Sequence, residues 1–475
     1  MRRHLLAAAS TAALLLGTLG GVPVSPADAA GARHPGGAKA AAGTWTKISK
    51  STVGIIDRAS LFRTSDKVLH VVYPRETTGG GERLAYATVA ANGALAAQGD
   101  VVGSDWSTMD TSPVIMGAAG GGLRVVFGGL NAGYAGKMYT VTSDAAGATW
   151  SATSPSVSVG QSESAYGSYG TSGTTQADGT PIAGWPLNSD ITWHVGTGAG
   201  ADSSFSVPGA TLYNTAMVRD GDNVWISWFA YGNAASNTGV FARQILPSVG
   251  PILKAPGSSE GTDTLEQGRT ALAASSTGGA FMAYCVGYVD CAKVRIWKVG
   301  TTKTVDVPKS KYADDIALST GPGGRLWLAW RDNVPRVHAL RTDTSGLTLG
   351  AHRIVGMPKG KTAVYAVAVE GSTGKGDVVI NVGDAFWHTQ VLPGLTLKAS
   401  PTSWKHGASR KVTFTVSDAG AAVSGARVKV GTKTCQTAAG GKCTISFPGS
   451  TRAGKYTASA TKSGYFKGTA RLKVT

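Results

Sequence analysis

The sequence predicts an all-β protein in which a seven-bladed β-propeller is followed by a C-terminal immunoglobulin-like β-sandwich. Three observations support this fold class. Glycine is abundant (66 residues), only 15% of residues are charged, and no long segment shows helical periodicity, which is typical of many short strands and turns. One strand-like phrase recurs at intervals of about 50 residues. At Thr396 both the strand pattern and the charge change, so an appended domain is expected.

The recurring phrase is a turn rich in glycine or aspartate, followed by an alternating strand that usually ends on an aromatic residue. Its copies are "DKVLHVVY", "GGGLRVVF", "DGTPIAGW", "GDNVWISW", "TGGAFMAY", "GGRLWLAW" and a weaker "GKGDVVINV", which end at Tyr73, Phe127, Trp185, Trp228, Tyr284, Trp330 and Val382. A short strand such as "TSPVI" or "DIALS" precedes most copies, and one or two strands follow. Four strands per unit are typical of a propeller. We expect the aromatic rings to pack between blades; exposure to sugars is the alternative.

Seven copies predict seven blades, with six or eight as alternatives. The third unit is the least well defined, because its first strand is assigned to the weak segment "GSYGT" (167–171). The last unit supplies only three strands, and a spare strand, "TWTKISK" (44–50), stands before the first unit. We expect this N-terminal strand to complete the last blade, since such a closure removes exposed sheet edges. The predicted propeller therefore spans 44–395 and the sandwich 396–475.

Residues 1–29 have the layout of a secretory signal peptide. Arg2 and Arg3 precede an apolar stretch that closes on the cleavage pattern Ala27-Asp28-Ala29. A membrane anchor is the alternative, but the apolar run is short and broken by glycines. The arginine pair leaves the export route open. We expect a flexible linker at 30–43, no membrane span, and a secreted protein that is extracellular or associated with the cell wall.

The four cysteines form two close pairs, Cys285 with Cys291 and Cys435 with Cys443, each separated by turn residues. In an oxidising compartment this spacing predicts two disulfides that each staple a local hairpin. Zinc ligation is the alternative, but the sequence has no C-x-x-C motif and no histidine at ligand spacing from either pair. We therefore predict no bound metal and no cofactor.

The segment 396–475 is the cationic part of the chain. It holds 14 Lys or Arg residues and a single acid, Asp418, or +13 of the formal charge of +17. Its short alternating strands predict a sandwich, and "GKYTASATKSGY" resembles the immunoglobulin-like modules appended to bacterial surface proteins. A cationic extracellular module attracts anionic polymers such as teichoic acids or acidic polysaccharides. Nucleic acid is disfavoured because no recognition element is identifiable, and solubility alone is the alternative role of the charge.

One turn carries a family resemblance. "SDAAGATW" (143–150) resembles the Asp-box, or BNR repeat, of sialidase-type propellers, although Asp144 stands one position early, and "TDTSGLTL" (342–349) is a fainter echo with Asp343 and Gly346. This turn motif supports the fold and not an activity, because its aspartate bonds turn amides and its glycine supplies permissive angles. Sialidases carry a substrate-binding arginine in an F/Y-R-I-P stretch; "LFRT" (61–64) lacks the Ile-Pro, so neither Arg63 nor any other residue receives an enzymatic role from the resemblance.

Topology places a candidate site at one mouth of the propeller channel. The residues just before each innermost strand border this mouth, and those singled out are Asp57, Arg58, Asp110, Tyr166, Tyr213, Asn214, Arg269, Asp314, Asp315 and Tyr365. Such a mixture suits a carbohydrate, whose hydroxyls need hydrogen-bond partners and whose C–H faces stack on rings. The same set could do chemistry, with Asp110 or Asp314 as general acid or base and Tyr213 or Tyr365 as nucleophile or lyase base. A third interpretation is that the carboxylates and arginines form internal ion pairs.

These observations favour a secreted, lectin-like propeller that binds an extracellular glycan or an anionic cell-wall polymer, with the basic module as an attachment element. We expect a monomer. A sialidase-like glycoside hydrolase or a polysaccharide lyase is the first alternative, although the balance is against an enzyme, and a protein-interaction scaffold is the second. The identity of the sugar, the number of sites and calcium binding stay open.

Overall fold

The computed structural model describes residues 43–49, 54, 57–109, 112–131, 134–144, 147, 149–151, 170–187, 189–197, 200–232, 234–258, 270–287, 291–334 and 336–475. The predicted signal peptide (1–29) and the predicted linker up to residue 42 lie outside them. The described chain is all-β, with short 3-10 turns at Ala119–Gly121, Ala235–Asn237 and Pro322–Gly324. Over these ranges, we find no helix with the length and apolar character needed to cross a membrane.

Seven antiparallel sheets follow one another over the described part of residues 46–391. After a short strand β1 (Thr46–Lys47), the first sheet contains β2 (Ser60–Arg63), β3 (Leu69–Glu76), β4 (Glu82–Val89) and β5 (Leu95–Asp100). The second contains β6 (Thr108–Met109), β7 (Val114–Gly117), β8 (Leu123–Asn131) and β9 (Tyr134–Thr142). The third contains β10 (Ser172–Thr175), β11 (Pro181–Leu187), β12 (Asp190–Val195) and β13 (Ser203–Ser206). The fourth contains β14 (Ala210–Asp220), β15 (Asn223–Gly232), β16 (Gly239–Leu246) and β17 (Leu253–Lys254).

The remaining three sheets follow the same meander. The fifth contains β18 (Ala271–Ala274), β19 (Ala280–Val286), β20 (Lys293–Lys298) and β21 (Thr304–Asp306). The sixth contains β22 (Ala313–Thr320), β23 (Leu326–Asp332), β24 (Val337–Arg341) and β25 (Arg353–Ile354). The seventh contains β26 (Ala366–Glu370), β27 (Gly376–Asn381) and β28 (Phe386–Val391), and its fourth strand is β1.

The sheets form a β-propeller, because their innermost strands, called the first strands below, contact one another in a closed circle; in the second sheet this strand is β7. In order, the strands of this circle are β2, β7, β10, β14, β18, β22 and β26, and β26 in turn contacts β2. The circle is closed by β1, which pairs antiparallel with β28, Thr46 opposite His388 and Lys47 opposite Trp387. The prediction that the N-terminal strand completes the last unit is therefore confirmed.

The second and third sheets depart from the expected strand assignment. In the second sheet, β6 and β7 both pair with β8, and β9 pairs with β8 as well. In the third sheet, the first strand is β10, which begins at Ser172; of the segment 167–171, to which this strand was assigned, only Gly170 and Thr171 are described, and neither belongs to a strand. The hairpin turn sets this register: the Gly179 N–H donates to the Gln176 carbonyl, and Gln176 N–H donates to the Thr180 carbonyl. Gly179 has φ +86°, a conformation that glycine adopts readily.

The repeated phrase is the second strand of each sheet, and its terminal aromatic residues belong to the core. Tyr73, Phe127, Trp185, Trp228, Tyr284 and Trp330 are all at most 2% exposed. Their rings connect neighbouring sheets: Tyr73 lies 4.9 Å from Phe386, ring centre to ring centre, and Trp228 lies 5.3 Å from Phe205. The prediction that these residues pack between sheets is confirmed, and the alternative of exposed sugar-binding rings is wrong for these positions.

The two Asp-containing turns are closed by their aspartates. Asp343 Oδ1 accepts hydrogen bonds from the N–H groups of Ser345, Leu347 and Thr348 at 3.1, 3.2 and 3.0 Å. Burial alone would raise the pKa of Asp343, but these bonds outweigh it and lower the pKa. In the other turn, Asp144 Oδ2 accepts a hydrogen bond from Thr149 Oγ1 at 2.6 Å. Both turns act locally, one after β9 and the other after β24.

Two further sheets follow the propeller and share one core. The first contains β29 (Thr396–Ser400), β31 (Arg410–Asp418), β32 (Ala421–Ala422) and β35 (Lys442–Phe447). The second contains, in spatial order, β30 (Ser403–Trp404), β37 (Gly468–Val474), β36 (Gly454–Thr461), β33 (Arg427–Val430) and β34 (Lys433–Gln436). The core between them includes Val412, Phe414, Val428, Ala458 and Leu472, each at most 2% exposed.

Both predicted disulfides are present, Cys285–Cys291 and Cys435–Cys443. The first joins Cys285 of β19 to Cys291, two residues before β20, as expected for a hairpin staple. The second does not staple a hairpin: β34 pairs with β33, and β35 pairs with β31. The turn between β34 and β35 carries the chain from one sheet to the other, so this bond links the two C-terminal sheets.

The C-terminal sheets contact the propeller through a buried ion pair. Asp418, at the end of β31, pairs with Arg341 of β24 and lies 3.7 Å from Arg325. Backbone hydrogen bonds also form at this junction: Leu395 N–H donates to the Phe466 carbonyl, and Phe466 N–H donates to the Pro393 carbonyl. The single acid of the C-terminal segment is therefore used at this junction.

Candidate functional site

The first strands of the propeller line a central channel of about 510 Å³. These strands start at the same end of the channel, because starts contact starts and ends contact ends. Thr270 N–H, before β18, donates to the Asn214 carbonyl near the start of β14 at 3.1 Å. Arg63, the last residue of β2, pairs with Glu370, the last residue of β26. We call the end where the first strands begin the mouth.

The wall of the channel combines apolar side chains, such as Leu61 and Ile115, with hydroxyl side chains, such as Ser60 and Thr174. Charged residues also line it, with Arg58 just before the start of β2 and Arg63 at the end of this strand.

An ion pair between the first and sixth sheets occupies the mouth. Arg58 Nη1 donates to Asp315 Oδ2 at 2.7 Å, and the same oxygen accepts a hydrogen bond from Val367 N–H at 2.7 Å. The Asp315 residue is fully buried and Arg58 is 8% exposed. These two predicted ligand residues thus tie three sheets together, as in the internal ion-pair interpretation.

Asp57 also has a structural partner. Its Oδ2 accepts a hydrogen bond from Gly54 N–H at 2.6 Å, which closes a short turn before β2. Asn381, at the end of β27, donates to the carbonyls of both Gly54 and Asp57 at 2.8 and 2.9 Å. Asp57 is buried, so its carboxylate is directed to the turn.

Asp314 differs from these buried acids, because about a third of its side chain is exposed. It pairs with Arg331, which follows the aromatic end of the repeated phrase in β23. Burial raises the pKa of Asp314, the Arg331 guanidinium opposes this, and the neighbouring Asp315 charge adds to it. An accessible carboxylate next to a guanidinium offers acceptors and donors side by side to a hydroxylated ligand.

Two strand irregularities mark the same end. The pairing of β14 with β15 shifts between Tyr213 and Ala216, and the pairing of β22 with β23 shifts between Ala313 and Asp315. Asn214 has φ +60°, and its buried Nδ2 has no hydrogen-bond partner among the residues that the structure describes. Bulges and positive φ at non-glycine residues are costly and concentrate next to functional sites.

Four of the described tyrosines lie at the end of the sheets where the first strands begin. Tyr365, before β26, is 37% exposed, and Tyr213 is half-buried with its ring stacked against Phe229. Tyr312, just before β22, is 36% exposed and has φ +65°; Tyr231, at the mouth end of β15 opposite Thr211, is 56% exposed.

Sequence analysis missed three of the residues at this end, Arg331, Tyr231 and Tyr312. Their positions in the sequence could have indicated this location. Arg331 and Tyr231 come one and three residues after an aromatic end of the repeated phrase, at Trp330 and Trp228, and second strands reach the mouth where they end. Tyr312 stands two residues before Asp314.

Three predicted site residues, Asp110, Tyr166 and Arg269, lie outside the described residues. Arg63 lies at the opposite end of the channel, where it is bound by Glu370 and Asp377, and takes no part in the mouth. Within the described ranges, no group of three or more His, Cys, Asp or Glu side chains is arranged to hold a metal ion.

Comparison with known proteins adds fold-level similarity only. No known protein family matches the chain, and no curated protein matches it. Among solved structures, it is similar to an ulvan lyase, a polysaccharide lyase bound to an -[GlcA(1-4)Rha3S]- ligand, with 11% identity, coverage of 74% of this chain and 95% of that one, and a TM-score of 0.45. It is also similar to the fucose-specific lectin of Aleuria aurantia (12% identity, 66% and 99% coverage, TM-score 0.38). The arabinanase of Bacillus subtilis gives 12% identity, 63% and 98% coverage, and a TM-score of 0.35.

Proposed function

We propose that this chain is a secreted, lectin-like protein that binds an extracellular glycan at the mouth of its channel. In this proposal the seven ring sheets are the blades of a seven-bladed propeller, and the Asp144 and Asp343 turns are Asp-box turns. The two C-terminal sheets are an immunoglobulin-like sandwich that attaches the protein to an anionic cell-wall polymer.

The observation that carries the proposal is that exposed tyrosines and the Asp314–Arg331 pair lie at the same end of the propeller sheets. Sugar rings stack their C–H faces on aromatic side chains, and their hydroxyls bind carboxylates and guanidinium groups. Tyr312 and Tyr365 are each more than a third exposed although they stand beside buried first strands. A ligand that stacks on such a ring would bury its exposed area, and this burial would favour binding.

Binding is favoured over catalysis because the described acids at the mouth already have partners within the protein. Asp57 and Asp315 are buried and already bonded, and Asp314 is held by Arg331. Hydrolysis of a glycosidic bond ordinarily uses two carboxyl groups that flank the bond. Among the described residues of the mouth, the raised pKa of Asp314 favours the enzymatic alternative, since a general acid needs its proton.

The test is a binding screen of the mature protein on a glycan array and on soluble polysaccharides, with reducing ends and unsaturated products measured in the same samples. We expect retained ligand without product. Tyr365→Ala and Tyr312→Ala should each weaken binding by about tenfold, the loss of one stacking contact. Val249→Ala, at an exposed position on the loop after β16, is the control and should leave binding unchanged.

Other results overturn the proposal in distinct ways. Product release would assign the protein to the hydrolases or lyases and direct attention to Asp314 and Tyr365. Binding that survives both tyrosine substitutions would move the site away from the mouth. Absence of any glycan ligand would favour the protein-interaction scaffold.

A further inference from the structure

We propose that the outer face of the five-stranded C-terminal sheet binds a linear acidic polysaccharide that carries carboxylates or sulfates. This inference rests on the attachment role proposed above for the C-terminal unit, and it specifies the surface and the class of ligand. The channel mouth takes no part in it.

Alternation along three adjacent strands defines this face. On β33, β36 and β37, one set of side chains, including Val428, Ala458 and Leu472, points into the core. The intervening positions point outward and carry only basic or hydroxyl side chains: Arg427, Lys429, Lys455, Thr457, Ser459, Thr461, Thr469, Arg471 and Lys473. All five basic residues of this set are exposed. We call this set the basic face.

The basic face contains like charges that the fold does not neutralise. Lys455 stands directly opposite Lys473, and Thr457 stands opposite Arg471, so three cations meet at one end of the face. Like charges opposite each other destabilise a sheet. The ion pairs made by residues 396–475, all of which are described, both involve Asp418, which is buried at the junction with the propeller. The basic face therefore presents an uncompensated positive potential to solvent.

The pattern of the face matches a charged sugar chain. Arg427 and Lys429 lie at the opposite corner from Lys473, so the cations follow a diagonal across three strands that is about 20 Å long at ordinary strand spacings. Between the two groups lie the hydroxyls of Thr457, Ser459, Thr461 and Thr469. Acidic groups of a polysaccharide would bind the cations, while its neutral hydroxyls would bond the serine and threonine oxygens.

Nucleic acid fits the face less well. No aromatic side chain stands among its nine outward positions, so it lacks the stacking surface that single strands use. A flat face three strands wide also exceeds the major groove, which admits one helix or a two-stranded ribbon. The observations therefore favour the acidic polysaccharide.

The experiment measures binding of the full mature chain to alginate and to dextran sulfate, with uncharged dextran, polyphosphate and duplex DNA as comparison polymers. The test variant is Lys455→Thr/Arg471→Thr/Lys473→Thr, which removes three cations from the basic face. The matched control is Lys398→Thr/Lys411→Thr/Lys442→Thr, which removes three exposed cations from the other C-terminal sheet. Circular dichroism and a thermal melt establish that both variants are folded.

We expect the wild type to bind both acidic polysaccharides in a salt-sensitive manner and not to bind dextran. The test variant should bind at least about tenfold more weakly, and the control should change by less than about threefold. Equal losses of affinity in the two variants would show that binding depends on the total positive charge of the C-terminal sheets. This result would overturn the basic face as the binding surface but not the attachment role. No binding of the wild type to any polyanion would overturn the attachment role itself. Tighter binding to polyphosphate or DNA than to both polysaccharides would overturn the choice of ligand.

Discussion

Replacing Arg63 with methionine should destabilise the propeller strongly, because this side chain joins the first sheet to the seventh. Arg63 Nε donates to Glu370 Oε2 and Nη2 donates to Asp377 Oδ2, both at 2.5 Å, and Nη1 donates to the Lys67 carbonyl at 2.6 Å. The arginine side chain is 3% exposed, and that of Asp377 is fully buried. His388 Nε2 lies 2.8 Å from the other oxygen of Asp377.

The expected loss follows from what the substitution leaves behind. Methionine keeps the apolar stem of the side chain but removes the positive charge that pairs with two carboxylates, of which Asp377 is fully buried and Glu370 is 10% exposed. Breaking one buried ion pair by removing a partner costs about 3–5 kcal/mol. Because two acids share Arg63, we expect the free energy of unfolding to fall by at least about 4 kcal/mol.

The assay is urea unfolding of the mature protein, followed by tryptophan fluorescence, for wild type and variants. Arg75→Met is the control, because Arg75 pairs with Asp100 within the first sheet and both side chains are partly exposed; its loss should be about 1 kcal/mol or less. Adding Glu370→Gln and Asp377→Asn to Arg63→Met should recover part of the loss. A loss below about 1 kcal/mol in Arg63→Met would refute the reasoning that this network holds the ring closed.

Three further predictions concern other parts of the fold. Burial lowers the pKa of His70 to about 4 from 6.5. The free energy of unfolding should therefore have its full value above pH 6.5 and fall by up to about 3 kcal/mol as the pH drops towards 4. Urea unfolding at a series of pH values should show that this free energy depends less on pH in His70→Gln than in the wild type. Cys435→Ser/Cys443→Ser should lower the stability of the C-terminal sheets by about 2–3 kcal/mol, visible as an earlier thermal transition that reductant no longer shifts. Gly371→Ala would place a methyl group 2.3 Å from the Trp327 ring, and calorimetry should show a loss of about 1–3 kcal/mol.

Local pattern predicted the elements of the propeller well. The alternation that ends at Trp330 predicts both a strand and its burial, because period-two patterning and aromatic content are properties of a short segment. The spare strand before the first unit predicted the closure, since an unpaired edge needs a partner. Residues 1–29 were assigned as a signal peptide on the same local basis, and that assignment stays a prediction.

Contacts between residues far apart in the sequence were harder to predict from local pattern. The link between Cys435 and Cys443 was predicted, but the two sheets it joins were not, because a turn of this length serves equally a hairpin or a crossing between sheets. Topology placed Arg58 and Asp315 at one mouth, but their ion pair spans 257 positions of the chain. No local pattern encodes which acid a given arginine meets.

The sequence by itself determined the strand content, the repeat, the closing strand, the cysteine pairs and the concentration of positive charge in the last 80 residues. These features follow from periodicity and composition, which each short segment carries independently. Only the tertiary structure decided which residues at the mouth form ion pairs and hydrogen bonds within the protein and which stay exposed. It also decided which lysines and arginines lie on the same face of a sheet. Exposure and electrostatic pairing depend on the register and neighbours of distant strands, and these are set only when the sheets pack against one another.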